Sequence, residues 1–174
     1  LRVAQRWRAR LGLAEEPLWT EVADRLVRPA VRHGTYAAID VPPYLVRADH
    51  PSMLYALGVA PPSDLVDPEV MRATLHDVLS DWDWDSTWGW DYPAVAMTAT
   101  RLGEPETALR ALLLPAAKNT YLPNGHNRQT GTLPIYLPGN GGLLSAVALM
   151  AGGPDPGFPG DSWRVRQEGL LTWP

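Results

Sequence analysis

The chain has 174 residues, 45% apolar and 20% charged, with 15 basic and 19 acidic side chains for a net charge of −4. This is the composition of a globular chain long enough for one domain or a large part of one. The acidic balance and the lack of a basic stripe argue against a nucleic-acid partner. No apolar run reaches the ~18 residues of a membrane span, and the absence of cysteine excludes disulfides and thiolate metal sites.

The chain opens inside a helical pattern, with Leu1, Ala4, Trp7 and Leu11 at helical spacing and Gly12 at its end. Leu18, Val22 and Leu26 form a second stripe, stopped by Pro29. A short strand is predicted over residues 35–39, broken by Pro42-Pro43, and His50-Pro51 opens a short helix closed by Gly58. Asp67-Pro68-Glu69 is a helix start, because an aspartate caps free amides and proline is tolerated in the first turn. Met71, Leu75, Val78 and Leu79 carry that helix to about Ser80. After a loop, Pro93 begins a helix with Ala94, Met97 and Leu102 on its apolar side, and Gly103 ends it. Glu104-Pro105-Glu106 restarts at once, so the two helices must fold back as a hairpin. Residues 115–141 are long and irregular but keep Tyr121, Leu122, Leu133, Ile135, Tyr136 and Leu137, which predicts an ordered, functional loop. A last helix is predicted from Leu143 to about Met150, then a linker over 153–161 and the start of a β segment over 162–174. Helices in hairpin order predict an all-α architecture over residues 1–152. Beginning at Leu1 inside a helix and ending without an evident stop, the chain reads as a piece of a longer protein.

Two stretches carry chemistry. "DWDWDSTWGWDYP", from Asp81 to Pro93, sets four tryptophans among four aspartates. An indole offers a flat apolar face and a polar N–H, and carboxylates pair directionally with hydroxyls. Together they suit a carbohydrate, whose rings present C–H patches and a rim of hydroxyls. The alternative is that all four indoles pack a helical core while the acids cap and face water. Glycoside hydrolysis employs two carboxyl groups flanking the scissile bond. Asp85 and Asp91 are the candidates, and a helix N-terminus favours the ionised form, so a base role fits better than an acid role. Asp91 taken alone reads more readily as a plain N-cap. Trp88 and Trp90 are candidate stacking surfaces.

The second stretch, "KNTYLPNGHNRQ", is dense in hydrogen-bonding side chains. Asn119, Tyr121, Asn124, His126 and Asn127 are candidate sugar contacts, although Asn124-Gly125 is also a common turn pair. No second ligand stands at metal spacing from His126. His33, His50 and His76 read as structural, with His50-Pro51 able to place a ring at a cleft edge. The glycines of "LPGNGG" match no phosphate-binding pattern. No cofactor is implied.

"WDSTWGWDYPAVAMTATRLGEPETALRALL", "KNTYLPNGHN" and "LPIYLPGNGGLLSAVALMAGG" resemble the C-terminal half of the catalytic barrel of bacterial six-hairpin glycosidases, related to glycoside hydrolase families 65 and 95. The resemblance spans about residues 1–152, most specifically 82–150. It implies a partial (α/α)6 barrel, a following β domain, and hydrolysis of an oligosaccharide or other glycoside by a general acid and a general base, with inversion. The acid normally lies earlier in the barrel, so it is expected to be missing here, to belong to the rest of the parent chain, and this fragment alone to be inactive. In the alpha-fucosidase branch the last loop reads Pro-Phe-Gln-Ile-Asp-Gly-Asn-Phe-Gly, with a catalytic aspartate where Pro138 stands here. That departure argues against fucosidase chemistry and places Asp85 ahead of Asp91 as base. A non-catalytic carbohydrate-binding or scaffold module and a sugar phosphorylase remain open.

Overall fold

Asp67 does what its position predicts. In the computed structural model, which describes residues 1–153 and 157–170, its carboxylate accepts from the amides of Glu69 and Val70 at 2.8 and 3.4 Å and starts helix α3 (Pro68–Ser80); the label follows α1 (Arg2–Arg10) and α2 (Pro17–Asp24). Such a cap is worth about 1 kcal/mol. Met71, Thr74, Leu75 and Val78 form the buried face of α3, at the spacing of an amphipathic helix. Onto it folds a hairpin of β1 (Val31–Arg32) and β2 (Thr35–Tyr36), with Val31 opposite Tyr36. Its two-residue turn, His33-Gly34, has φ of 52° and 86°, the primed geometry that matches strand twist. The amide of Tyr36 donates to Thr74 Oγ1 at 2.9 Å, and the amide of Asp67 donates to the Tyr36 hydroxyl at 2.7 Å, so the hairpin is pinned to α3. The strand predicted over residues 35–39 is shorter than expected, ending at Tyr36.

The central element is α4 (Asp91–Arg101), nearly every residue of which is buried. Pro93 falls in its first turn, where no intrahelical amide is lost. α5 (Pro105–Leu112) and α6 (Leu137–Gly152) pack against it, and a 3-10 turn (Ser52–Ala56) brings Met53 and Leu54 into the same core. The hydroxyls of Thr98 and Thr100 are satisfied by carbonyls one turn back, Ala94 and Ala96. The last helix starts at Leu137, not at Leu143. Pro138 enters in its first turn, and the small residues that follow let the helix approach its neighbours: a Cβ on Gly142 would stand 2.8 Å from the Pro93 ring.

The first two helices contact each other, joined by the Gln5 side chain, which bonds both the amide and the carbonyl of Glu16. Their apolar stripes do not reach the core. α1 buries none of its residues and α2 only Ala23, and Leu11, Leu18 and Val22 remain exposed. The architecture is therefore mostly helical, and no barrel is seen among the described residues.

Residues 157–170 return to the end of α6. Phe158 joins the core, its ring 5.2 Å from that of Trp163, and Leu170 lies against Gly152. No strand occurs from 162 to 170. Residues 154–156 of the expected linker and 171–174 of the expected β segment lie outside the described residues.

Candidate functional site

The tryptophan-rich loop divides in two. Trp82 is buried, and its Nε1 donates to the carbonyl of Asp49 at 3.0 Å. Trp84 stacks on Tyr92 with ring centroids 5.7 Å apart, and Thr87 ties the pair by bonding both the Trp84 carbonyl and the Tyr92 hydroxyl. Trp88 and Trp90 are instead 37% and 41% exposed.

Asp91, which follows Trp90 directly, is completely buried. It is not the N-cap of α4. Trp90 holds that position, and Asp91 is the first helical residue, its carboxylate turned back to the amide of Trp88 at 2.7 Å. Oδ2 also meets His50 Nδ1 at 2.9 Å, and Oδ1 accepts from the Tyr55 hydroxyl. Three donors and the positive end of a helix dipole make the burial of this group tolerable. Trp90 Nε1 also stands 3.2 Å from His50 Nδ1. One nitrogen cannot donate and accept through the same position, and the buried carboxylate has the stronger need. We therefore assign the Nδ1 proton to the bond with Asp91. The Tyr55 phenol is pushed far above its ordinary range, by burial first and then by its hydrogen bond to Asp91 and that charge. Burial, then the same charge, also raises Tyr136.

The second segment comes to this place. Tyr136 lies 5.5 Å from the Trp88 ring, and Lys118, the chain's one lysine, puts its Nζ 6.0 Å from that ring. The amide of Gly89 donates to Gln129 Oε1 at 2.8 Å. Beneath, β3 (Thr120–Tyr121) and β4 (Asn127–Arg128) form a hairpin with Asn127 at its centre, fully buried. Its Nδ2 donates to the carbonyls of Lys118 and Thr120, and its amide to Asn140 Oδ1. Its Oδ1 has no conventional partner, but a Cβ on Gly89 or Gly139 would lie 2.0 or 2.3 Å from it. The Cα–H bonds that glycine places there are aimed at the oxygen, a weak substitute for an N–H.

Several predicted ligand contacts make hydrogen bonds within the chain. Asn127 is a buried clamp, not a surface amide. Asn119 closes the end of α5, its Nδ2 donating to the carbonyls of Leu112 and Leu114. Tyr121 gives its hydroxyl to the carbonyl of Gly139. Asn124 accepts from the amide of His126 and shapes the turn with Gly125. His126 is partly exposed, and its Nδ1 is buried without a hydrogen bond. The glycine-rich run is helical and spends its small residues on packing, not on an open phosphate loop. Asp85 is exposed, its carboxylate makes no hydrogen bond or ion pair among the described residues, and its charge is felt at Tyr92. No cluster of metal-ligating side chains occurs among the described residues.

Asp49, His50, Tyr55, Gln129 and Tyr136 complete the neighbourhood. His50 carried a signal in its place before Pro51, and Gln129 and Tyr136 lie in the loop read as functional; Asp49 and Tyr55 carried none and are brought in by contacts between residues far apart in the chain.

No family model matches the chain, and neither the curated proteins nor the solved structures include a match to it.

Proposed function

We propose that this chain is part of a glycosidase, the C-terminal half of an (α/α)6 barrel, and that it supplies one wall of the sugar site. The observation that supports this reading is the meeting of two half-open indoles, Trp88 and Trp90, with Tyr136 and Lys118 around the buried Asp91. Stacking faces bordered by hydrogen-bonding groups suit a polyhydroxylated ring.

In this reading Asp91 is a positioning residue, because all its bonds are internal and no substrate reaches it. Asp85, exposed and unpaired, is the base. It takes a proton from the water attacking the anomeric carbon while the glycosidic C–O bond breaks, and an acid elsewhere in the parent protein protonates the leaving oxygen. Asp85→Asn in the full-length parent should abolish hydrolysis and leave sugar binding; hydrolysis that survives removes Asp85 from the role. A requirement for inorganic phosphate would make the parent a phosphorylase instead.

A second reading, a carbohydrate-binding module without catalysis, is favoured by the enclosure of Asp91, which takes one of the two candidate carboxylates out of reach. Sugar binding by the intact parent without turnover would select it.

A further inference from the structure

We infer that Asp49 and His50 form the polar half of the sugar site, gripping two hydroxyls on adjacent carbons of a pyranose that lies on Trp90. The inference rests on the carbohydrate reading above and deepens it. With Nδ1 committed to Asp91, the outer nitrogen of the His50 ring is Nε2, which stands 3.3 Å from Asp49 Oδ1. That spacing is close to the separation of neighbouring ring hydroxyls. A carboxylate accepts from one hydroxyl. Nε2 bonds the other in either sense, because a hydroxyl both donates and accepts.

Asp49 is built for this place. Its side chain is 73% exposed and pairs with His50, while its backbone is fixed from both sides. Its carbonyl accepts from the Trp82 indole at 3.0 Å, and its amide donates to Ser86 Oγ at 2.5 Å. These anchors hold a non-glycine residue at φ 66°, a left-handed conformation that costs on the order of 1 kcal/mol and persists only where surroundings impose it. The imidazole stands nearly perpendicular to the Trp90 indole, at 83° with centroids 5.2 Å apart. The indole's Nε1 edge lies 3.2 Å from His50, so in the proposed pose a pyranose flat on the Trp90 ring turns its rim of hydroxyls toward His50 and Asp49. The ligand class is a pyranoside with two free hydroxyls on adjacent carbons, and the residues that select it precede Trp90 by about forty positions.

The test is NMR titration of the full-length parent with methyl glucoside, galactoside and mannoside and their 2-, 3- and 4-deoxy forms, reading the Trp90 Nε1 and His50 Nε2 signals. One glycoside should shift both. Asp49→Asn, chosen because asparagine tolerates the left-handed backbone, and His50→Gln should each weaken it about tenfold, the loss of one hydrogen bond of ~1.4 kcal/mol, with unchanged circular dichroism. Removing one gripped hydroxyl should weaken wild-type binding similarly and leave His50→Gln or Asp49→Asn indifferent to it. If His50→Gln does not fold, Asp49→Asn decides alone, because its carboxylate is 73% exposed and hydrogen-bonds no buried group. Binding that shifts Trp90 yet is untouched by Asp49→Asn and His50→Gln overturns the inference and leaves the carbohydrate reading standing. No response to any of these glycosides, nor to maltose or cellobiose, overturns both.

Discussion

Asp91 and His50, separated by 41 positions in the chain, meet through Oδ2 and Nδ1 at 2.9 Å, and the carboxylate is wholly closed to solvent. Replacing Asp91 by Asn presents an N–H₂ group to donors that need an acceptor. Asp91→Asn should therefore destabilise the fold by about 2–4 kcal/mol in urea unfolding. It should also release the His50 ring, seen as a change of the protonated nitrogen in ¹⁵N spectra. A stable variant with an unchanged imidazole spectrum would contradict the assigned geometry.

The four indoles should separate by function. Trp82→Ala opens a cavity in the core and should cost about 3–5 kcal/mol. Trp88→Ala and Trp90→Ala remove rings that are more than a third exposed. Each should cost less than about 1.5 kcal/mol in chemical unfolding, while sugar-induced quenching of indole fluorescence falls sharply for Trp90→Ala.

Asn127 and Gly139 should couple. A methyl group on Gly139 would enter the space of the Asn127 amide, so Gly139→Ala should destabilise by about 1–3 kcal/mol. In Asn127→Ala that space is vacated, although two carbonyls lose their donor. The double variant should then be more stable than the sum of the single losses predicts, by about 1 kcal/mol in a mutant cycle.

Glu104 joins the turn after α4 to α3. Burial pushes its carboxyl up, but hydrogen bonds from Arg72, His76 and Thr107 outweigh that and hold it below its ordinary 4.5. A folded-state value below the unfolded one means stability that is fully present above pH 4.5 and is lost as pH falls through the folded value. Glu104→Gln should cost about 1–2 kcal/mol at neutral pH, and its difference from wild type should shrink in unfolding measurements below pH 4.5.

The exposed faces of α1 and α2 make a contrasting case. Leu18 is 61% exposed, so Leu18→Ser should change stability by less than about 0.5 kcal/mol. It should also reduce self-association in light scattering, because it breaks an apolar surface.

By itself the sequence determined the helices. Asp67 and Pro68, Glu104 and Pro105, and the apolar spacing of Met71, Leu75 and Val78 act within a turn or two, so they mark α3 and α5 directly. It also marked two segments, the tryptophan loop and the amide-rich loop, that meet in the fold where Lys118 faces the Trp88 ring. What only the tertiary structure decided is which side chains are free to act. Whether an indole is Trp82 or Trp90, or an amide is a clamp like Asn127, depends on what lies across from it, and those partners come from distant positions. The early start of α6 has the same origin. Its glycines are poor helix formers taken alone, and they become helical because close contact with Asn127 and Pro93 outweighs their propensity.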